Sequence, residues 1–529
     1  MTDSTRPCAS RPALPLRRRA CALSAALLLA GCIPIPVIEV STDVAIRGDR
    51  ILAVGPGLRT RYRALREIDA TGLVVSPGFI DPHTHPESYL RSPDPAKRRI
   101  LPWLYQGVTT IFIGVDGFGR PDIAADRARL QAQGIGTNVA AYVGLGPVRS
   151  QVLGQDARAP GAAELQAMRG LVARAMCEGA LGLSTGLFYA PQSFARTDEV
   201  VALTREAAVR GGVYDSHQRD ESSYGIGLMG SVEEALEIGR RAGLPVHLAH
   251  IKALGADVHG KSGEVIARIE RAQADGQRVT ADQYPWLASS TGLGAALLPR
   301  WAVDGGRPAL FRHLADPADA ARIRDEMRAN LKRRGGAGAI LMTGSGWPWS
   351  ALTLLGYADQ AGIDPIDAAL RIISEGGTGP TGSAQRIASF NMRRDDVDRF
   401  MRQPWVMTGS DGGDGHPRQY ATFPEKYARF VKADHVIELA AFIHRSTGLT
   451  ATTFGLEDRG FLRTGQFADV LVFDPDTYAP RADYVHPHVL SEGVVHLFVN
   501  GTPMIVDGQA ADALPGRVLR HRPPAGSCP

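Results

Sequence analysis

The middle of the chain alternates short apolar runs with amphipathic segments that have helical spacing. Apolar positions recur every three or four residues in 198–210 and 232–242, and each segment lies between two β-type runs. Eight runs with the length and composition of strands cover residues 73–83, 108–114, 138–143, 180–184, 213–217, 246–250, 279–283 and 405–410. Eight such β/α units predict an α/β fold of the TIM-like (β/α)8 barrel type.

Further short β-type runs lie near both ends of the chain. They cover residues 37–40, 43–46, 50–55, 469–473 and 496–501. Because these β-rich segments flank a longer α/β region, they predict a small β-sandwich that is built from both terminal parts of the chain.

These patterns predict a domain organisation. We expect a signal peptide at 1–32, the β-sandwich at 33–76 and 457–515, the barrel at 77–456, and a tail at 516–529. The stretch 293–400 has no place among the eight β/α units. We expect it to form an insertion over the mouth of the barrel.

The first 32 residues have the pattern of a bacterial export signal. An arginine triplet at 17–19 gives a positive start, and the apolar run 20–30 is too short to span a bilayer. The sequence Leu-Ala-Gly-Cys at 29–32 resembles the lipobox of bacterial lipoproteins, in which the cysteine receives a diacylglycerol. We therefore expect an exported protein that is anchored in the membrane through a lipid on Cys32, on the periplasmic side. The alternatives are an ordinary secretory signal with a chance cysteine, or a misplaced start codon.

The charge of the chain excludes one class of partner. The net charge is +4, and the arginine triplet in the removable segment supplies three of these charges. Because the remainder is close to neutral, we expect no nucleic-acid-binding surface.

Two cysteines, Cys177 and Cys528, follow the predicted anchor. The sequence allows a disulfide between them but does not indicate one, and it contains no Cys-x-x-Cys metal pattern. We do not expect the fold to depend on disulfides.

Residues that can bind a metal ion stand at the ends of the predicted strands. They are His83, His85, Asp116, His217, His250 and Asp411. The carboxyl ends of parallel barrel strands converge on one face, so we expect these side chains to be neighbours. Imidazole and carboxylate ligands suit a divalent metal, with zinc favoured, and one or two ions are compatible with this number of ligands. An open coordination position would hold a metal-activated water.

Several longer blocks carry a specific resemblance. Pro-Gly-Phe-Ile-Asp-Pro-His-Thr-His at 77–85 resembles the opening strand of the amidohydrolase superfamily. Four further blocks resemble the D-aminoacylases, or N-acyl-D-amino-acid deacylases: Gly-Ala-Leu-Gly-Leu-Ser-Thr-Gly-Leu at 179–187, His-Gln-Arg-Asp-Glu at 217–221, Ala-Asp-Gln-Tyr-Pro at 281–285 and Ser-Asp-Gly at 410–412. The resemblance spans about 43–510, and the family fold is a TIM-like barrel with a small β-sandwich.

The resemblance implies a reaction and a role for each site residue. The reaction is hydrolysis of the amide bond of N-acyl-D-amino acids. His83 and His85 would serve a weakly held metal position, and His217 and His250 a tight one. Asp411 would be the general base, which takes a proton from the attacking water and returns it to the leaving amine. Lys252 and Tyr284 would hold the substrate carboxylate, while His259 and Arg418, in predicted mouth loops, are further candidates for substrate contact.

The chain departs from the family pattern after the second strand. D-aminoacylases of the best-known type have a cysteine ligand in a Gly-Asn-Cys-Gly turn, whereas this chain has Gly-Val-Asp-Gly at 114–117. Asp116 can still bind a metal and could bridge two ions, but a carboxylate is a harder ligand than a thiolate. The metal identity and the number of ions are therefore open, and a simple turn role for Asp116 is the alternative.

Two other functions compete with deacylation. Cyclic amidases such as hydantoinases and dihydroorotases have a similar opening strand, but they usually bridge two metals with a carboxylated lysine on the fourth strand. Between residues 77 and 251 this chain has one lysine, Lys97, which precedes the second strand. A non-catalytic binding lipoprotein is the alternative from a different class, although every expected ligand and Asp411 are present.

Overall fold

The structure is a computed structural model, and it describes residues 42–376 and 383–529. It begins with strands of the small β-domain, which we call the β-unit. The predicted signal peptide and Cys32 lie outside these described residues. Three strands precede the barrel: β1 (Asp43–Arg47), β2 (Arg50–Gly55) and β3 (Val74–Pro77). β1 and β2 form an antiparallel hairpin, and a 3-10 helix follows at Leu58–Thr60.

Parallel strands then form most of the barrel. They are β4 (Phe79–Asp81), β5 (Val108–Ile113), β6 (Asn138–Ala141), β7 (Val143–Gly144), β8 (Gly182–Gly186), β9 (Val213–His217), β10 (Val246–Leu248) and β11 (Val279–Gln283). β6 and β7 are two parts of one barrel strand interrupted at Tyr142, because β6 pairs with β5 while β7 pairs with β8. The predicted strand 73–83 is also divided: β3 lies in the β-unit and β4 in the barrel, since Gly78 N donates to Asp469 O and Phe79 N to Gly107 O.

Helices connect these strands as the apolar pattern predicts. They are α1 (Glu87–Leu90), α2 (Pro95–Arg98), α3 (Leu101–Leu104), α4 (Ile123–Gln133), α5 (Leu145–Leu153), α6 (Ala162–Glu178), α7 (Thr197–Ala208), α8 (Gly227–Ala242) and α9 (Ser262–Ala274), with 3-10 helices at Gln192–Phe194 and Ala256–Val258. Helix α8 begins at Gly227 rather than at 232. It ends where Gly243 has a φ of 81°, a left-handed conformation that favours glycine.

An inserted layer follows β11. It contains β12 (Ala288–Gly292), β13 (Ile340–Met342) and β14 (Arg386–Phe390), helices α10 (Leu293–Leu297), α11 (Gly306–Ala315), α12 (Pro317–Arg333), α13 (Leu354–Ala361) and α14 (Pro365–Glu375), and 3-10 helices Arg300–Val303, Ala337–Ala339 and Ser383–Gln385. The strands form an antiparallel sheet in the order β12–β14–β13. The layer therefore begins with β12 and ends with β14, instead of spanning 293–400. The next helix, α15 (Arg394–Met401), belongs to the barrel because it contacts α9 and buries Phe400 in the barrel core.

Strand β15 (Val406–Thr408) completes the barrel. It pairs in parallel with β11 on one side. On the other side, Asp411 N donates to His83 O and His85 N donates to Gly412 O, each at 2.8 Å. These contacts close the ring between β15 and β4 and confirm the predicted TIM-like barrel.

The end of the chain returns to the β-unit. Four helices come first: α16 (Arg418–Glu425), a π-helix (Lys426–Ala433), α17 (Leu439–Arg445) and α18 (Gly448–Thr453). Four strands follow: β16 (Val470–Phe473), β17 (Val494–Val499), β18 (Thr502–Val506) and β19 (Gln509–Ala510). They form a sheet of order β19–β18–β17–β16–β3, so both terminal parts of the chain contribute to the small β-domain, as predicted. In the part of the chain that the structure describes, no helix has both the length and the apolar character needed to cross a membrane.

The C-terminal tail lies against the amino ends of the barrel strands. Leu519 N donates to Val139 O at 2.7 Å, and His521 N donates to Gly179 O at 3.0 Å. Cys528 forms a disulfide with Cys177 of α6, and their Cα atoms are 5.7 Å apart. The sequence did not indicate this bond because nothing in the pattern shows that residues 351 positions apart meet.

Candidate metal centre

Six polar side chains converge at the carboxyl ends of the barrel strands, and they include every residue predicted to bind metal or transfer protons. They form two groups in which the ligand atoms lie within 4.8 Å of one another. The first group is His83, His85, Asp116 and Asp411, and the second group is Asp116, His217 and His250. Parallel strands explain this convergence, because their carboxyl ends meet on one face of a barrel.

Asp116 belongs to both groups. Its Oδ1 lies 3.2 Å from His83 Nε2, 3.3 Å from His217 Nδ1 and 3.3 Å from His250 Nε2. Its Oδ2 lies 3.4 Å from His85 Nε2. One carboxylate therefore faces all the imidazoles of both groups and belongs to the donor set of each.

The donor set fits a divalent metal ion. His83 Nδ1, His83 Nε2 and Asp116 Oδ1 are buried, yet none of them makes a hydrogen bond to any described residue. Buried polar atoms normally have a partner, and a cation held by these lone pairs would supply one. Imidazole nitrogens and carboxylate oxygens are ligands that zinc takes. The residues present therefore fit zinc, and the two groups provide for one ion or two.

Electrostatics keeps the carboxylates of the centre charged. Burial raises the pKa of Asp116, but the imidazoles of His83, His217 and His250 outweigh burial and hold that pKa well below its ordinary value. The Asp411 pKa is also lowered, because the Arg418 guanidinium and the nearby imidazoles outweigh burial. Both carboxylates can therefore act as charged ligands in this buried site.

Three residues of the centre have a left-handed backbone. The φ angles are 54° at Asp116, 36° at His250 and 49° at Asp411, a region that residues other than glycine adopt at a cost. Neighbouring side chains hold these turns. Gln192 Nε2 donates to Asp116 O at 3.0 Å, and His250 N donates to Asp282 Oδ1 at 3.0 Å.

The two residues predicted to hold the substrate carboxylate lie beside the second group. Lys252 Nζ is 2.6 Å from His250 Nδ1 and 2.6 Å from Glu221 Oε1. Tyr284 lies between two cations, because its ring centroid is 5.8 Å from Lys252 Nζ and 5.0 Å from Arg418 Cζ. The Tyr284 hydroxyl is buried and has no hydrogen-bond partner among the described residues. We refer to the two cations, Lys252 and Arg418, together with the tyrosine between them, Tyr284, as the cationic set.

The two loop residues predicted to contact substrate have different positions. Arg418 begins α16 and is buried, and its Nη1 lies 2.8 Å from Asp411 Oδ2. His259 Nε2 instead contacts the carbonyl oxygen of Asn391 at 3.1 Å.

Sequence reasoning missed the residues that support the ligands. Glu221, the last residue of the His-Gln-Arg-Asp-Glu block, lies behind the second group, with Oε1 3.2 Å from His250 Nδ1. Ser184 Oγ accepts a hydrogen bond from Gly117 N at 2.9 Å and so supports the Asp116 turn. Both residues lie in blocks that carry the family resemblance, but a pattern does not show which neighbour a polar side chain faces.

Comparisons with known proteins find relatives of similar sequence and fold. Residues 66–505 match the model of a family described as the Amidohydrolase family. D-aminoacylase of Alcaligenes xylosoxydans xylosoxydans is 32% identical over 504 residues, which cover 90% of this chain and 93% of that protein. A solved structure of D-aminoacylase described as having a binuclear metal centre has a TM-score of 0.75 and 32% identity, covering 90% of this chain and 95% of that one. The structure of N-acyl-D-glutamate deacylase from Bordetella bronchiseptica, complexed with zinc and a phosphonate mimic of the tetrahedral intermediate, has a TM-score of 0.76 and 32% identity, with the same coverage of 90% and 95%.

Proposed function

Because this chain belongs to the amidohydrolase family of metal-dependent hydrolases, we propose that it hydrolyses N-acyl-D-amino acids to a D-amino acid and a carboxylic acid. The observation that carries the proposal is the cationic set beside the two ligand groups. In an N-acyl amino acid one carbon atom separates the free carboxylate from the amide nitrogen. A site for an anion next to a site for amide hydrolysis therefore matches this class of substrate.

The ligand groups provide the metal chemistry. His83, His85, Asp116, His217 and His250 would hold the metal, with Asp116 shared between the groups. When bound, a divalent ion acts as a Lewis acid that activates water and polarises the amide carbonyl.

Asp411 performs the proton transfers. Its carboxylate is charged before the reaction because Arg418 holds Oδ2, while Oδ1 faces the first group at 3.2 Å from His85 Nε2. Asp411 takes one proton from the attacking water as the new carbon–oxygen bond forms. It then gives that proton to the amide nitrogen as the carbon–nitrogen bond breaks, so the amine leaves neutral and the carboxylate is regenerated.

The cationic set orients the substrate. Lys252 and Arg418 supply positive charge, and the Tyr284 hydroxyl can donate a hydrogen bond to the substrate carboxylate. A charge-assisted hydrogen bond contributes about 1.5–3 kcal/mol. With the carboxylate and the amide carbonyl both fixed, the side chain of one enantiomer points into the remaining space and that of the other points into the wall. This arrangement supports selection between D- and L-substrates.

The residue that usually bridges the metals of cyclic amidases is absent from the fourth barrel strand. That strand is β8, with the sequence Gly-Leu-Ser-Thr-Gly, so it offers no lysine for a carboxylated bridge. Asp116, which is a member of both groups, would be the ligand shared between them instead.

An assay with paired substrates tests the proposed reaction. We expect hydrolysis of N-acetyl-D-amino acids, with the L-enantiomers and the D-amino-acid amides much slower. Lys252→Ala should raise KM about 10- to 100-fold, because one charge-assisted hydrogen bond is lost. Preference for L-substrates, or equal rates with the carboxamides, would contradict the proposal and favour a cyclic amidase.

We also propose that the mature protein is exported and carries a lipid on Cys32. The support comes from two ends of the chain: the lipobox-like sequence at 29–32, and the Cys177–Cys528 disulfide, since disulfides persist in oxidising compartments. Cys32→Ser should move the protein from the membrane fraction of a bacterial host to the soluble fraction. Cys21→Ser, within the predicted signal, is the matched control and should leave it in the membrane fraction. Intact-mass measurement of an unmodified Cys32 thiol would rule out the anchor.

A further inference from the structure

Glu221 faces three nitrogen atoms of the site, and the proposed reaction does not use it. Its side chain is 7% exposed. Oε1 lies 2.6 Å from Lys252 Nζ and 3.2 Å from His250 Nδ1, and Oε2 lies 4.0 Å from His217 Nε2. One carboxylate therefore lies behind both imidazoles of the second group and against the ammonium group of the cationic set.

The chemistry of imidazole gives this contact a role. His250 faces Asp116 with Nε2, so it can ligate a metal through Nε2 only when its proton is on Nδ1. That proton needs an acceptor, and Glu221 Oε1 lies within 3.2 Å. Lys252 Nζ lies 2.6 Å from the same nitrogen, and an ammonium group only donates. When Nδ1 carries the proton, the ammonium group can instead donate to Glu221 Oε1 and to His250 O, at 2.6 and 2.9 Å. Glu221 therefore offers an acceptor to both the Nδ1 proton and the ammonium group, which is what the metal-binding tautomer of His250 requires.

The other imidazole of the second group lies farther from Glu221. His217 faces Asp116 with Nδ1, and its Nε2 lies 4.0 Å from Glu221 Oε2, which is beyond hydrogen-bond distance. In the first group, the outer nitrogen of His83 lies 3.8 Å from Asp282 Oδ1, which is also too long for a hydrogen bond. Of these three imidazoles, His250 is therefore the one whose outer nitrogen has a carboxylate within hydrogen-bond distance.

We propose that Glu221 is a positioning residue that couples metal binding to recognition of the substrate carboxylate. It orients the His250 imidazole of the second group, and the same carboxylate holds Lys252 in place. The metal half of this inference stands on the geometry of the second group, and the substrate half rests on the proposed function. Loss of Glu221 should therefore weaken zinc binding and raise KM together, whereas loss of Lys252 should raise KM and leave zinc binding unchanged.

Glu221→Gln tests the coupling with the full-length protein. Zinc affinity is measured by equilibrium dialysis, KM with an N-acetyl-D-amino acid at saturating zinc, and folding by circular dichroism. We expect zinc affinity to fall about 10- to 100-fold, as is usual when a carboxylate behind a metal ligand is lost. Glu234→Gln is the matched control, because Glu234 is also buried but pairs with Arg219, and it should change neither quantity.

A folded Glu221→Gln variant with the zinc affinity of the wild type would overturn the proposal. If Glu221→Gln does not fold, Glu221→Asp keeps the charge but withdraws it by one methylene group. Zinc affinity weaker than that of the wild type then supports the positioning role, and unchanged affinity overturns it. A wild-type protein that binds zinc but does not cleave N-acyl-D-amino acids would remove the proposed function, while the zinc result would still decide the role of Glu221.

Discussion

The two ligand groups share Asp116 but differ in what lies behind their imidazoles. In the second group, the carboxylate of Glu221 lies on the outer side of both rings. In the first group, a second carboxylate, that of Asp411, lies on the side of the rings that faces Asp116. Its Oδ1 is 3.2 Å from His85 Nε2, and its Oδ2 contacts Arg418. The second group therefore combines candidate metal ligands with a carboxylate behind them, and the first group combines candidate metal ligands with the carboxylate that we propose transfers protons.

This difference suits the two groups to different tasks, metal binding in the second group and proton transfer in the first. A carboxylate behind an imidazole fixes the orientation of the ring and increases its basicity as a ligand. A carboxylate beside the reacting atoms can accept and donate a proton instead. Asp116 is a member of both groups. Substitutions in the first group and in the second group can therefore be compared while this shared residue stays the same.

The largest effect should come from the reactive carboxylate of the first group. Asp411→Asn removes the proton acceptor but keeps the size of the side chain, so kcat should fall about 100- to 10,000-fold. Zinc should remain in the second group, because Asp411 is not one of its members. Steady-state kinetics together with elemental analysis measures both quantities. A fall in kcat of less than tenfold, with chemistry shown to limit the rate, would contradict the assignment.

A smaller effect should distinguish the two groups as metal ligands. His250→Ala removes a ligand whose outer nitrogen faces the Glu221 carboxylate at 3.2 Å, whereas His83→Ala removes one whose ring nitrogens make no hydrogen bond to described residues. We expect the first change to weaken the tightest zinc binding about 10- to 100-fold more than the second, the range seen when support around a ligand is lost. Equilibrium dialysis against zinc measures this. Equal losses in the two variants would show that the groups do not differ in the predicted way.

The smallest effect should be a shift along the pH axis. Arg418 lowers the pKa of Asp411 by stabilising its charged form, so Arg418→Met should raise that pKa. A base with a higher pKa becomes protonated sooner as the pH falls. The acidic limb of kcat should therefore move to higher pH, by about one unit or more. Measurements at saturating substrate and zinc exclude effects on binding, and Arg429→Met, at a half-exposed position, is the control. If the acidic limb of the Arg418→Met variant lies at the same pH as that of the wild type, the predicted effect of Arg418 on the Asp411 pKa is wrong.

The sequence predicted the barrel and the meeting of its ligands because both depend on short-range patterns. Apolar runs of strand length mark where each barrel strand lies, and the carboxyl ends of parallel strands share one face. His217 and His250 needed no further information to be placed together. The roles of the individual residues came from the family resemblance, since a strand end alone does not show which group is a base and which is a ligand.

Features that depend on contacts between distant loops were not predictable in the same way. Glu221 lies in a loop, where no periodicity fixes the direction of a side chain, and its contact with Lys252 depends on two loops meeting. Lys252 was predicted to bind substrate, and the structure adds that its ammonium group already contacts Glu221 and His250. The division of the first predicted strand at Gly78 depends on partners far along the chain, Asp469 and Gly107, that the local pattern does not contain.

The pairing of β3 with β16 has a consequence for how the protein is made. Pro77 pairs with Val470, so β3 can pair with β16 only after the ribosome has added about 390 further residues. At the usual rate of about 5–20 residues per second, that interval lasts roughly 20 to 80 seconds. The barrel strands are synthesised within the same interval, whereas the small β-domain can assemble only after the last part of the chain has emerged. Its completion is therefore a late step in the biogenesis of every copy, and a nascent chain that stops before β16 contains every strand of the barrel but not this domain.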